Sequence, residues 1–397
     1  MNKCAPKKLC FVTTTRADWG LLMPLAKAMA RVEGVKVQIV AANMHLMPEY
    51  GMTVNEIVEA GFEVDARVPM EVPGDDERSR VKAMSLCMAQ MADVFAELKP
   101  DALVILGDRY EILAVASAAV MMHVPIVHIA GGEISEGAVD DSIRHAVTKM
   151  SHLHLTAAEP YLRRVVQMGE WPTRVFNTGA IGVWNAFNTT LMGAAELGKE
   201  LKIDFDTAKV AVVTYHPATN DSARTPAERV GALLEALDTF PELTAVITYP
   251  NNDAHGAPII GLLEEYAARN SGRVRLVRSL GMVRYQSLLR LASVVIGNSS
   301  SGIVEAPSAG VPTVDIGMRQ RGRIMAPSVI RCGDSVEEIC EAIAKALSPQ
   351  MQRLAAMREN PYHRKNTLEL MVSAINDFLA SLPAGPKKFY DIWNAFI

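Results

Sequence analysis

Residues 102–106 read ALVIL, five apolar side chains without polar alternation, and such a run is stable as a strand only when both of its faces are covered. Coverage on both faces is the mark of a parallel sheet flanked by helices, so this short segment restricts the chain to an α/β architecture. Gly107 then lets the backbone turn and delivers Asp108 and Arg109 to the carboxyl end of the strand, the edge where open α/β sheets bind ligands. A second run, 125–129, brings His128 and then Gly131, Gly132 and Glu133 to the same edge. From Asp140 the spacing turns helical: Ile143, Ala146, Val147 and Met150 form an apolar stripe, and Asp140 and Arg144, four apart, are expected side by side at its border. Each polar residue has an ordinary reading as well. Asp108 fits a turn, Asp140 or Asp141 a helix cap, and the Asp140–Arg144 pair a surface salt bridge worth about 0.3–0.5 kcal/mol. Taken together, three carboxylates and a histidine converge on one sheet edge.

The same strand-then-polar-turn rhythm runs through the chain. Residues 8–12 read as a strand, followed by TTTRAD and a helix carrying Leu21, Leu22, Leu25 and Met29. A polar turn at a helix start suits an anion with Arg16 as charged donor, or equally a capped helix whose Arg16 pairs with a neighbouring acid. It lacks the G-x-G-x-x-G pattern, which weakens a nicotinamide reading. A strand over 35–41 ends at Asn43, Met44 and His45, where a lone histidine is more often structural than functional. A helix is expected over 161–168 and a strand over 175–178, and residues 180–205 read as the link between domains. The rhythm then restarts: 210–214 delivers Tyr215, His216 and Pro217, and 245–249 delivers Pro250, Asn251, Asn252 and Asp253. Strands at 274–277 and 293–296 follow, and the latter opens into GNSSSG at 297–302 with Glu305 beyond it. Small residues there let N–H groups and hydroxyls approach a phosphate, and Glu305 can accept bonds from ribose hydroxyls, although serines also cap helices routinely. After 312–316 the loop carries Arg319, Arg321 and Arg323, which form either a solvated loop or, facing the serines, a diphosphate clamp. The helices from Ser335 and over 367–382 read as packing elements.

At 397 residues the chain suits two α/β domains. Its net charge of −4 gives no basic surplus for nucleic acid. Five cysteines without a C-x-x-C pair argue for reduced thiols in the cytoplasm rather than for disulfides or zinc. The apolar stretch after the basic start breaks at Thr13, too soon for a signal core, and no run approaches a membrane span, so a soluble intracellular protein is expected.

Five ordered motifs carry a resemblance across nearly the whole chain. Thr-Arg-Ala-Asp at 15–18, Gly-Asp-Arg-Tyr-Glu at 107–111, His-Ile-Ala-Gly-Gly-Glu at 128–133, Asp-Asp-Ser-Ile-Arg-His at 140–145 and Gly-Asn-Ser-Ser-Ser-Gly at 297–302 with Glu305 are similar to those of the hydrolysing UDP-N-acetylglucosamine 2-epimerases of sialic-acid biosynthesis. The resemblance implies two Rossmann-like domains in a glycosyltransferase-B-like arrangement with the ligand between them. These would be residues 1–185 on the sugar side, 186–365 on the UDP side, and a 366–397 segment whose helix returns to the first domain. It implies elimination of UDP across C1 and C2 to a 2-acetamidoglycal, then hydration to free N-acetylmannosamine, with no metal or redox cofactor. Carried over by position, Asp108, Glu133 and Asp140 become acid/base candidates, with His216 in the catalytic group on the diphosphate side beside Arg16, Arg109 and Arg319. Ser299, Ser300 and Glu305 would hold phosphates and ribose, and His45, Arg144 and Asn252 complete the expected substrate contacts. Some relatives place a glutamate directly before the Gly-Gly pair where this chain has Ala130, so that role passes to Glu133 or is filled differently. Non-hydrolysing epimerases show Gly-Gln-His where this chain has Asn43, Met44 and His45, and Glu-Ala-Gly-Leu-Arg in place of His-Ile-Ala-Gly-Gly-Glu, and both differences favour hydrolysis.

Within the resembled family the rival substrate is UDP-2,4-diacetamido-2,4,6-trideoxyglucose, which differs only at C4 and C6. A non-hydrolysing epimerase, a glycosyltransferase of the same fold and a non-catalytic UDP-sugar sensor are the other classes. Relatives suggest a homo-oligomer, dimer or tetramer, with an apolar helix face on the first domain as the contact.

Overall fold

The structure is a computed structural model that describes residues 5–218, 224–251, 253, 256–383 and 387–392. Among the described residues two all-parallel sheets form. The first has the order β3-β2-β1-β4-β5-β6-β7, built from β1 (Lys7–Thr13), β2 (Val35–Ala42), β3 (Ala66–Val68), β4 (Ala102–Leu106), β5 (Ile126–Ile129), β6 (Leu153–Thr156) and β7 (Val175–Asn177). The second has the order β10-β9-β8-β11-β12-β13, from β8 (Lys209–Thr214), β9 (Leu243–Thr248), β10 (Val274–Val277), β11 (Val294–Gly297), β12 (Thr313–Ile316) and β13 (Val329–Cys332). Two Rossmann-like domains in a glycosyltransferase-B-like pair are the result. No described helix is long and apolar enough to cross a membrane.

Both sheets are covered on both faces, as the unbroken apolar runs require. In β1 the side chains of Leu9 and Phe11 join a core with the helices Arg16–Met29 and Thr367–Ala380, while Cys10 and Val12 face the helices Glu77–Leu98, Tyr110–Met121 and Asp140–Met150. The C-terminal helix thus returns to the first sheet. It buries Met371, Ile375, Phe378 and Leu379 there, about 1.5–3 kcal/mol apiece. In the second domain Ala211, Val213, Ala245, Ile247 and Ile296 pack on helices Pro226–Asp238, Gly256–Arg269 and Val336–Ala346. Capping boxes at Thr225–Glu228 and Ser335–Glu338 start two of these helices, and each hydroxyl cap is worth ~1 kcal/mol. The segment between the sheets consists of two short helices, Ile181–Asn188 and Ala194–Leu201.

Three strands lie outside the sequence expectation. β3 and β13 are short edge strands, and β6 reads LHLT, whose histidine breaks the apolar run. His154 is nevertheless fully buried, because Glu170 accepts a hydrogen bond from its ring at 2.9 Å and is itself neutralised by Lys149 and Lys387, each at 2.7 Å. The strand order reverses direction at β1/β4 in the first sheet and at β8/β11 in the second, and open α/β sheets bind ligands at such switch points. The loops leaving β1 and β4 face those leaving β8 and β11 across a cleft.

Candidate active site

The cleft has two adjoining halves of about 230 and 210 Å³ that share Ala17, Leu21, Asn251, Ser300, Ser301, Glu305 and Arg319. One half is lined by Arg16, His216 and Ser299, the other by Asp108, Glu133, Asp140, Arg144 and Arg323. The sequence motifs thus divide into a cationic, hydroxyl-bearing half and a carboxylate-bearing half.

In the first half the turn after β1 is held by a reciprocal cap. Thr15 accepts from the Asp18 amide at 3.2 Å, and the Asp18 carboxylate accepts from the Thr14 hydroxyl at 2.7 Å and the Thr15 amide at 3.1 Å. Arg16, the first helical residue, therefore projects into the cleft from a fixed turn. Opposite it, the Asn298 side chain clasps the end of β8: its Oδ1 accepts from the His216 amide at 2.7 Å and its Nδ2 donates to the His216 carbonyl at 2.8 Å. The Asn251 amide donates to His216 Nδ1 at 3.2 Å, which places the ring proton of the neutral imidazole on Nε2. Burial, with Arg319 nearby, pulls the His216 pKa down to about 3. His216 is thus a neutral donor rather than a free base. Arg319 donates to the Asn298 carbonyl at 3.2 Å, which aims it at the serines. Ser299 caps the short helix Ser300–Val304, and the Ser301 hydroxyl meets the Tyr285 hydroxyl at 2.6 Å. Glu305 is tucked against Gly182, where an added Cβ would come within 2.5 Å of its Oε1, and burial raises its pKa.

In the second half the helix Asp140–Met150 does not pair Asp140 with Arg144. The Arg144 guanidinium, 1% exposed, turns to the Asp108 carboxylate and also donates to Asp141 at 3.4 Å, to the Ser135 hydroxyl at 2.9 Å and to the Glu133 carbonyl at 3.0 Å. Spacing of four permits a helical pair, but a carboxylate arriving from β4 wins the guanidinium. Val139 occupies the cap position, so neither Asp140 nor Asp141 is the cap. Asp141 instead accepts from the Ser135 amide at 2.6 Å and fixes the preceding loop. Asp108 and Asp140 consequently titrate apart. Burial alone would raise Asp108, yet Arg144, Arg323 and Arg319 hold it below the usual carboxylate range. Asp140 is raised to about 6 by burial and then by the neighbouring charges of Asp108 and Asp253. One carboxylate is a fixed anion and the other exchanges a proton near neutral pH.

Several expected residues fall elsewhere. His45 is fully buried behind the β1 turn, its two nitrogens engaged by the hydroxyls of Thr13 and Thr53, each at 2.9 Å, and burial lowers its pKa to about 4. It braces strand ends and lines neither half of the cleft. Arg109 lines the carboxylate half rather than the diphosphate half, where it bridges Glu111 at 3.0 Å and Asp253 at 3.3 Å and ties the two domains together. Of the three clustered arginines only Arg319 faces the serine loop, while Arg321 pairs with Glu136 at 3.1 Å and Arg323 with Glu133. Asn252 lies outside the described residues. The place of Tyr285 beside the serines and of Arg323 on the carboxylate wall could not be read from the sequence, because their partners Ser301 and Glu133 lie sixteen and 190 residues away.

A family model described as UDP-N-acetylglucosamine 2-epimerase matches residues 27–376. The chain belongs to that family. It is 39% identical over 347 residues, 87% of this chain and 89% of the relative, to the GDP/UDP-N,N'-diacetylbacillosamine 2-epimerase (hydrolyzing) of Campylobacter jejuni. It is 34% identical over 386 residues, 97% of this chain and 98% of the relative, to the polysialic acid biosynthesis protein P7 of Escherichia coli. The fold matches that of the Neisseria meningitidis UDP-GlcNAc 2-epimerase bound to UDP-GlcNAc with a TM-score of 0.76 at 18% identity, covering 93% of this chain and all of that one. The protein is an enzyme of the 2-epimerase family.

The separated titrations give a kinetic expectation. If ionised Asp140 is the working base, kcat/KM falls as pH drops through about 6, because its proton is then held. Asp140→Asn should remove that limb and lower kcat by roughly 10²-fold or more while UDP affinity is kept, and Asp108→Asn should cost a similar factor. A pH–rate series with calorimetric UDP titration tests this, and unchanged turnover in either variant excludes that residue from the chemistry.

Proposed function

We propose that the protein is a hydrolysing 2-epimerase of a UDP-activated 2-acetamido sugar. It releases UDP and the free manno-configured sugar through a 2-acetamidoglycal. The observation that carries this reading is the division of the cleft, with diphosphate donors in one half and an Asp108/Asp140 pair of separated acidity in the other. Arg16, Arg319, the Nε2–H of His216 and the hydroxyls of Ser299 and Ser300 stabilise the departing diphosphate, and Glu305 accepts from the ribose. Asp140, raised in basicity, takes the proton from C2 as the C1–O bond breaks. The Asp108 anion supports positive charge at C1 and then accepts a proton from the water that adds there. Glu133, on the same wall, is the carboxyl that returns a proton to C2 from the other face, which inverts that centre. A sensor or simple binder of a diphosphate would gain little from carboxylates beside it, which argues for catalysis.

The first substrate reading is UDP-N-acetylglucosamine, giving N-acetylmannosamine. A second is UDP-2,4-diacetamido-2,4,6-trideoxyglucose, the sugar also called N,N'-diacetylbacillosamine, favoured by the name of the 39%-identical relative. The apolar side chains of Leu106, Ile129, Ala130, Leu155 and Ile181 along the carboxylate half suit a C6 methyl and an added acetamido group. Proton NMR in D₂O with each sugar tests both. The expected result is UDP plus free manno sugar deuterated at C2, with the faster substrate naming the specificity. Accumulation of a UDP-linked epimer, or loss of UDP only when an acceptor is added, contradicts hydrolysis.

We also propose a cytoplasmic homo-oligomer. Val81 and Met88 on the helix Glu77–Leu98, with Val120 and Met121 ending Tyr110–Met121, leave apolar side chains 40–77% exposed on one flank of the first domain, as a self-association face would. Sedimentation should give a dimer or tetramer that Met88→Glu shifts towards smaller species. A monomeric wild type excludes this face as a stable interface.

A further inference from the structure

The loop after β12 sends two arginines into the cleft in different directions. Arg319 faces the diphosphate half through its bond to the Asn298 carbonyl. Arg323 leaves its own domain: its guanidinium is ion-paired with Glu133 of the first domain, and both side chains are more than nine-tenths buried. It stands on the wall that also carries Asp108 and Asp140. The crossing is made by backbone as well as charge. The Glu136 amide donates to the Arg321 carbonyl at 3.0 Å, and the Ile324 amide donates to the Tyr161 hydroxyl at 3.1 Å. The Tyr161 hydroxyl in turn meets that of Tyr362 at 2.8 Å, and Tyr362 donates to the Ile324 carbonyl at 2.8 Å. At Gly137 an added Cβ would lie 2.5 Å from the Met318 backbone, so a residue without a side chain is what lets the two loops touch. Gly322, at φ 92°, supplies the left-handed turn that points Arg323 back across the boundary.

We propose that Arg323 is a positioning residue that couples diphosphate occupancy in the second domain to the placement of the proton-transfer carboxylates in the first. The proposal rests on the functional reading above and adds a residue to it. Arg319 and Arg323 share one short loop, so a diphosphate that seats the first guanidinium also seats the second. When Arg323 is withdrawn, the Glu133 carboxylate is left buried without its ion-pair partner and its loop loses one of its ties to the second domain. Asp108 loses one of its cations too. The charged groups facing it are Arg144 and Asp140 from the helix Asp140–Met150, Glu133 from the loop after β5, Arg319 and Arg323 from the loop after β12, and Arg109 beside it, with neutral His128 behind. Removing a cation from this set makes the carboxylate cluster take up protons at higher pH.

The test compares wild type, Arg323→Gln and Arg323→Lys. In the glutamine variant kcat should fall roughly 10- to 100-fold with KM changed by less than about threefold, and the acid limb of the kcat profile should move to higher pH. The lysine variant should restore the limb and part of the rate, since charge returns without the two-pronged geometry. Independently of turnover, hydrogen exchange with UDP alone should protect residues 132–139 in wild type. Arg323→Gln should lose that protection while keeping it at 298–305. A glutamine variant with wild-type profile and wild-type protection overturns the proposal. So does a variant whose melting temperature drops and whose KM rises with the profile unmoved, because Arg323 is then a packing residue. A wild type that transforms neither sugar but shows the UDP-dependent protection, lost in Arg323→Gln, supports the coupling while contradicting the functional reading. A wild type that binds no UDP contradicts both.

Discussion

The cleft depends on one buried guanidinium. Arg144, almost without solvent contact, is held by the Asp108 and Asp141 carboxylates, the Ser135 hydroxyl and the Glu133 carbonyl, so the end of β4, the loop after β5 and its own helix meet on it. A cation in such a place is tolerated only because every direction it points in offers an acceptor, and breaking such a pair typically costs about 3–5 kcal/mol. Its electrostatic effect is as important as its structural one. By keeping Asp108 ionised it makes the neighbouring site of Asp140 unfavourable for a second negative charge, and the two carboxylates acquire different proton affinities. The residue expected from the sequence to be a substrate contact is thus the support on which Asp108 and Asp140 are arranged.

The second domain contributes in a similar manner. Asn298 locks the ends of β8 and β11 together and, through its carbonyl, orients Arg319 and Gln320. Contacts between domains occur on both flanks of the cleft: Arg109 with Asp253, and Asp75 accepting from the Ala257 amide at 2.9 Å, on one side; Arg323 with Glu133 and Arg321 with Glu136 on the other. The ionic groups that line the ligand space therefore also hold the domains in register, and the geometry for chemistry exists only where both loops are present.

Much of this was legible from the sequence because its signals are local. ALVIL can satisfy its backbone and both faces only inside a covered parallel sheet, and the turns after β1, β4, β8 and β11 follow from where such strands end. What stayed hidden was pairing over long separations. The LHLT strand was obscured because His154 finds its partner sixteen residues away in Glu170, and the Arg144 partner was misjudged because helix spacing says nothing about a competing carboxylate from β4. His45 sits at a strand end as expected, but only the packed structure places Thr13 and Thr53 on its two nitrogens. Arg323 looked like one of three clamp cations until the fold carried it to Glu133.

The proposed elimination breaks the bond between the sugar C1 and oxygen, and water then enters at C1. Turnover in water enriched in heavy oxygen measures this directly by mass spectrometry of both products. Elimination followed by hydration puts label in the free sugar at C1 and none in the phosphates of UDP, together with solvent hydrogen at C2. Label in UDP would mean attack at phosphorus, and label at C1 without solvent hydrogen at C2 would mean simple glycoside hydrolysis. Either result contradicts the elimination pathway built on Asp108 and Asp140.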